Sequence, residues 1–228
     1  MIRITDYKEK YKPLEKENDN VYIVRWDYED DTVLNPETGS REKSPLGTWT
    51  YERLYFTPSV DVIQTMILSY MNEQVDNEIL RDFTWNEHSV WLSTENQFNY
   101  KTAYDLAVQT NGASLPVTFK FGTSSNPTYH KFETLEDLSD FYLKATKFVL
   151  DTLQRGWERK DSIDWSVYST NEGTKEDPIA YVSGMTLELG KYYTERGSIY
   201  ICHKDSESIV KGELRDYVDI YVTRYING

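Results

Sequence analysis

The stretch FTWNEHSVWLSTENQFNYKTAYDLAVQTNG, residues 83–112, decides the class of fold. Phe83–Trp85 and Ser89–Leu92 are β-prone runs, and Asn86 and Glu87 between them read as the turn of a tight hairpin. Thr94 followed three residues later by Gln97 is a capping-box pattern, and Asn111-Gly112 is a C-terminal stop, so residues 94–111 read as a helix. A hairpin running straight into a capped helix predicts a mixed α+β domain. The polar residues of the stretch are amides, hydroxyls and tyrosines, without a nucleophile beside its base, so it reads as a scaffold or binding surface.

Working outward, VYIVRWDY (Val21–Tyr28) and TWTYERLYF (Thr48–Phe56) alternate with period two and predict a long hairpin, joined by the polar loop Asp30–Pro45. Thr57 and Pro58 predict a helix start, and Val60, Ile63, Ile67, Tyr70 and Met71 draw its apolar stripe over residues 58–72, with a further turn at 76–82. After the opening stretch, Leu115–Gly122 and Thr128–Glu133 form another hairpin around TSSNP. Thr134 then caps the longest helix, which carries Leu138, Phe141, Tyr142, Ala145, Phe148, Val149 and Leu153 on one stripe and is weakened late by Gly156. The expected architecture is α+β: antiparallel β-hairpins packed with three helices, followed by a small all-β C-terminal module. Residues 1–20 read as a mobile arm or short docking strand, 21–170 as the α+β domain, and 178–228, after the linker NEGTKEDP, as the small module of strands IAYVS, TLEL, KYYTE, SIYICHK and DYVDIYVTRY.

Composition narrows the function classes. Only 39% of the 228 residues are apolar, but 19 Tyr, 8 Phe and 6 Trp supply large bodies for a core and suit half-buried contact faces. A formal net charge of −13 argues against gripping a phosphate backbone, so no direct sequence-specific nucleic-acid partner is expected. Residues 178–228 hold six Lys and Arg against seven Asp and Glu, so −12 of the charge lies in residues 1–177. Ordinary solubility explains such an excess; an acidic wall past which DNA slides is the sharper reading. One cysteine, Cys202, excludes an intramolecular disulfide and a thiolate metal cluster. The charged N-terminus lacks a secretory apolar region and no stretch reaches bilayer-spanning length, so a soluble chain, not secreted by the usual route and without membrane partner, is expected.

Chemistry-bearing patterns are sparse. His88, His130 and His203 fall in separate β segments at no metal-ligand spacing, and Cys202 and His203, adjacent in a strand, point to opposite faces. Paired carboxylates such as Asp30-Asp31 and Glu136-Asp137 are expected by chance among 38 acidic residues. No Gly-rich phosphate loop, G-x-S-x-G elbow or H-E-x-x-H occurs, so no cofactor and no enzyme activity are expected. Two aromatic sets remain. Trp85, Trp91 and Tyr100, and Tyr192, Tyr193 and Tyr200, read either as core or as interface or glycan contacts, since aromatic faces accept the C–H side of a sugar.

From Val90 to Gly122, VWLSTENQFNYKTAYDLAVQTNGASLPVTFKFG, followed by ETLEDLSDFYLKATKFVLDTLQRGWERKDSIDW, the chain resembles a domain of unknown function that recurs in bacteriophage tail and tail-fibre-associated proteins. The resemblance covers roughly residues 58–165 and rests on Trp91, Leu92, Ser93, Phe98, Asn99, Tyr100, Trp157, Lys160, Asp161 and Ile163. The tail looks like small β modules at the ends of phage proteins, with distant similarity to chitin-binding modules, although it contains no tryptophan. The combination is similar to virion proteins of Bacteroidota phages, crAss-like phages among them. The resemblance implies a non-enzymatic virion component located in the tail region, as a tail, collar or tail-ring protein. Its partners would be other tail or collar proteins and further copies of itself in a homo-oligomeric ring. The alternatives it leaves open are a glycan- or receptor-binding module of a tail fibre and a tail assembly chaperone.

Overall fold

The computed structural model describes residues 2–123 and 125–225; residue 1 of the expected arm, residue 124 of the second hairpin turn and residues 226–228 of the tail module lie outside the described residues. Three α-helices and antiparallel sheets, with a separate small sheet in the C-terminal residues, make an α+β fold, as the sequence patterns predict. The chain groups into two compact units, Leu68–Ser162 and the segments on either side of it; the division falls inside helix α1, Val60–Arg81. Ile63 N–H reaches the Ser59 carbonyl at 3.2 Å, so the first turn closes two residues later than the Thr57-Pro58 signal indicates.

In the unit Leu68–Ser162, strands β5 (Thr84–Trp85) and β6 (His88–Ser89) pair Trp85 with His88. Asn86 and Glu87 both have positive φ, 47° and 67°, as a two-residue turn needs to follow the twist of its strands. Helix α2 runs Thr94–Gln109, and its cap is Ser93, not Thr94: the Ser93 hydroxyl accepts from Asn96 N–H at 3.2 Å. The amides of Asn96 and Gln97 donate back to the Trp91 and Leu92 carbonyls at 2.8 and 2.7 Å, tying the helix start to the strand end. Strands β7 (Val117–Gly122) and β8 (Pro127–Phe132) pair antiparallel before helix α3, Leu135–Asp161, whose cap Thr134 accepts from Asp137 N–H.

The core of this unit gathers around Phe141. Its ring lies 4.9 to 5.4 Å from those of Tyr100, Trp85, Phe121 and Phe132, mostly tilted or edge-on as ring quadrupoles prefer. Helix α3 runs antiparallel to the end of α1, and small or polar residues set the contact. The Thr152 hydroxyl and Arg155 reach Glu78, Lys160 reaches Asn72 at 2.7 Å, and Gly156 faces Val75. The late glycine of α3 is therefore a point of close helix approach.

In the other unit, β3 (Val21–Leu34) and β4 (Arg41–Leu54) form a hairpin of two 14-residue strands, flanked by β1 (Ile2–Asp6) on β4 and β2 (Leu14–Asn18) on β3. The N-terminal segment, expected as a mobile arm or short docking strand, takes the strand form and supplies both edge strands of this sheet. The expected loop 30–45 is mostly strand, because Thr32, Val33 and Leu34 pair with Lys43, Glu42 and Arg41, leaving only Asn35–Ser40 as a turn closed by Gly39 at φ 68°. Pro45 is accommodated where the register shifts between Asp30 and Thr32, so its missing N–H breaks no ladder bond.

The C-terminal sheet has the order β12-β11-β10-β9, with β9 (Ile179–Ala180), β10 (Tyr192–Glu195), β11 (Ser198–Cys202) and β12 (Val222–Tyr225); β9 is parallel to β10 and the rest are antiparallel. The run TLEL, residues 186–189, forms no strand. Its backbone N–H groups go to side chains instead, Leu187 to Ser206 Oγ at 2.8 Å and Leu189 to Asp205 Oδ1 at 2.6 Å. Asp164 anchors this region by accepting Ser166 N–H, Thr186 N–H and the Thr186 hydroxyl, and the buried Tyr168 hydroxyl donates to the Arg25 carbonyl of β3 at 2.8 Å.

Candidate functional site

Two of the three histidines and the cysteine make contacts within the fold. His130 packs edge-on against Trp85, ring centres 4.7 Å apart, with its Nε2 3.1 Å from Asp137, and His203 Nδ1 is 3.2 Å from the Thr223 hydroxyl. Cys202 is buried, its thiol donates to the Lys204 carbonyl at 3.0 Å, and burial pushes it above the ordinary thiol range. A reactive cysteine needs the opposite, a lowered pKa and access. Among the described residues no group of three His, Cys, Asp or Glu side chains is placed to hold a metal ion, and no helix is long and apolar enough to cross a membrane.

The six aromatic residues singled out from the sequence separate by burial. Trp85 and Tyr100 are 3% and 4% exposed and belong to the Phe141 core, where Trp85 Nε1 donates to Asp140 and desolvation pushes the Tyr100 phenol up to about 12. Tyr193 and Tyr200 form a cross-strand pair on the inner face of β10 and β11, and both are buried. The Tyr193 hydroxyl accepts Glu188 N–H at 2.9 Å, and burial raises its pKa to about 12. These four rings are covered and offer no platform for a sugar or a partner, Trp85, Tyr193 and Tyr200 being turned inward on strands and Tyr100 on the inner face of α2. Tyr192 faces the other way, half-buried against Tyr225, and Trp91 is 46% exposed. Of the two sets, only these two rings reach solvent.

The exposed face that the apolar stripe of α3 did not reveal lies on its opposite side. Leu143, Leu150 and Trp157 are 57%, 58% and 57% exposed. At seven-residue spacing they fall in line, two helical turns apart, and at about 100° per residue this line lies at least a quarter-turn round the helix from the buried Phe141, Ala145, Thr152 and Gly156. The half-buried Thr146 and Leu153 extend the line along one flank, three residues after Leu143 and Leu150, and Lys147–Asp151 pairs along the other at 2.8 Å. Apolar residues at heptad spacing with a charged flank are the arrangement by which one helix packs along another. The signal is present in the sequence as L-x6-L-x6-W, hidden there by the stronger core stripe of the same helix.

Comparison of the chain with models of protein families, with curated proteins and with solved structures finds no match.

Proposed function

We propose that this protein is a non-enzymatic structural component of a bacteriophage virion, in the tail, collar or tail ring, working through contacts between subunits. The outward stripe Leu143, Leu150 and Trp157 is the observation that carries the reading. Three large apolar side chains of α3, Leu143, Leu150 and Trp157, each leave more than half of their surface to solvent. Covered by a neighbouring helix, the exposed part of each contributes roughly 1–1.5 kcal/mol of apolar burial. The far end of the β3–β4 hairpin supports the same reading, since beyond Gly47 it is a bare two-stranded ribbon with exposed Val33 and Leu34, a structure marginal in water by itself. The resemblance of residues 58–165 to phage tail-associated domains supports a virion as the setting of that assembly.

The test has two arms. Native mass spectrometry of the purified chain is expected to find an oligomer that Leu150→Glu with Trp157→Glu converts to monomer without loss of helical circular dichroism. Mass spectrometry and electron cryomicroscopy of the particle are expected to find the chain in the tail region with α3 against a neighbour. A chain present in infected cells and missing from particles would make it an assembly chaperone, and a monomer at all concentrations that is also missing from particles would overturn the proposal.

A further inference from the structure

Beside Trp91 lies a cleft of about 610 Å³, within the size range of small-ligand sites. Arg81, the last residue of α1, and Lys120 on β7 both line it, together with Trp91, Asn96 and Ser89, and no carboxylate does. In a chain with 38 acidic against 25 basic residues, a cleft with two cations and no acid is a local reversal of charge. Most lysines and arginines of this chain that have close partners are paired with carboxylates, as in Lys101–Asp105, Lys144–Asp140 and Lys147–Asp151. Among the described residues, neither Arg81 nor Lys120 has one.

The rest of the lining is equally specific. Arg81 lies over the Trp91 indole, 6.0 Å from the ring centre, which holds the guanidinium at the cleft while nearly half of Trp91 stays open to solvent. The Asn96 side-chain nitrogen is committed to the Trp91 carbonyl, which fixes the side chain and leaves Oδ1 to accept. The Ser89 hydroxyl is exposed at the rim. An aromatic face, two cations and neutral hydroxyl and amide groups match a ring with an apolar C–H side, hydroxyls and one carboxylate. The overall charge of −13 disfavours ligands with several charges, such as nucleotides, because repulsion grows with ligand charge while the cleft offers only two cations.

We propose that the Trp91 cleft binds an acidic saccharide, a sugar ring carrying a carboxylate, with Arg81 and Lys120 on the carboxylate and Trp91 against the ring. This site stands on the cleft alone and holds whether or not the protein belongs to a virion. The test is isothermal titration of the full chain with a galacturonic acid trisaccharide and with the neutral galactose trisaccharide, followed in parallel by tryptophan fluorescence. Saturable binding of the acidic sugar is expected, at least tenfold tighter than the neutral one. Arg81→Gln and Lys120→Gln are each expected to weaken it about tenfold, the equivalent of one charge-assisted hydrogen bond. Trp91→Ala should abolish it with helical circular dichroism unchanged, and all three side chains are exposed enough for the fold to persist through the changes. No saturation by the acidic sugar, equal binding of the neutral one, indifference to both cation variants, or tighter binding of inorganic phosphate or adenosine monophosphate would each overturn the assignment.

Discussion

Replacing Gly156 by alanine distinguishes close helix packing from intrinsic helix propensity, because the two effects have opposite signs at this position. Alanine in a helix interior is worth about 1 kcal/mol over glycine, so an exposed Gly156 would make the substitution stabilising. Here a Cβ built on Gly156 meets Val75 Cγ2 at 2.6 Å, well inside ordinary contact, and Val75 is a β-branched residue 9% exposed within α1. Its χ1 is strongly restricted in a helix, so relief requires α1 and α3 to move apart. Overpacking of this kind costs about 1–3 kcal/mol, which outweighs the propensity gain and leaves Gly156→Ala destabilising by about 1 kcal/mol. Val75→Ala removes the offending methyl, and the next contact of the new Cβ is then Val75 Cβ at 3.7 Å, an ordinary distance. In that background the same substitution should stabilise by about 1 kcal/mol, a coupling of roughly 2 kcal/mol, as expected for residues in direct contact. Urea unfolding of the four variants, followed by circular dichroism and tryptophan fluorescence, measures the cycle. Stabilisation by Gly156→Ala alone, or the same effect in both backgrounds, would refute the argument.

Phe141→Ala removes the ring around which Trp85, Tyr100, Phe121 and Phe132 gather, and should cost about 3–5 kcal/mol by thermal or urea unfolding; a loss under 1 kcal/mol would mean the cluster is not the core. Tyr100 and Tyr193 hold their protons to about pH 12 when folded, whereas an unfolded tyrosine ionises near pH 10. Their contribution to stability is therefore complete below pH 10 and is lost as pH rises toward 12, so the midpoint should fall steeply across that window and less so in Tyr100→Phe. Cys202, buried with a raised pKa, should react slowly with a disulfide reagent at neutral pH and at full rate in urea; fast reaction of the folded chain would contradict its placement.

What the sequence could reveal depended on whether the deciding interaction was local. Asn86 and Glu87 announce their turn because a two-residue hairpin has few suitable residues, and the capped ends of α2 and α3 lie within a residue or two of their predicted places for the same reason. Ser93 and Thr94 are chemically alike as caps, and only the bonds from Asn96 and Gln97 back to the strand end select Ser93. The strand character of residues 30–45 was masked by acidic and turn-forming residues, since pairing across β3 and β4 is a property of two segments together. Burial of Tyr193 and Tyr200, against the exposure of Tyr192, follows from alternation, but which face is inner depends on the elements beneath the sheet. Arg81 and Lys120 lie far apart in the chain and meet at one cleft, a juxtaposition no local pattern encodes.

If copies of this chain associate through the α3 stripe as proposed, charge sets how that association responds to salt. At −13, two copies repel each other, so ion pairs across a contact would have to overcome a net opposing field. An apolar seam carries no such dependence, because burial of Leu143, Leu150 and Trp157 owes little to electrostatics. Salt shortens the Debye length from about 10 Å at 0.1 M to about 3 Å at 1 M, which screens the repulsion between copies and leaves the apolar term intact. Association should therefore strengthen as salt is raised, the reverse of an assembly held by surface salt bridges. Sedimentation velocity at low and high sodium chloride measures the change directly. The Leu150→Glu, Trp157→Glu variant should stay monomeric at both, while dissociation of the unmodified chain by salt would show that charge pairs and not the α3 seam hold the subunits together.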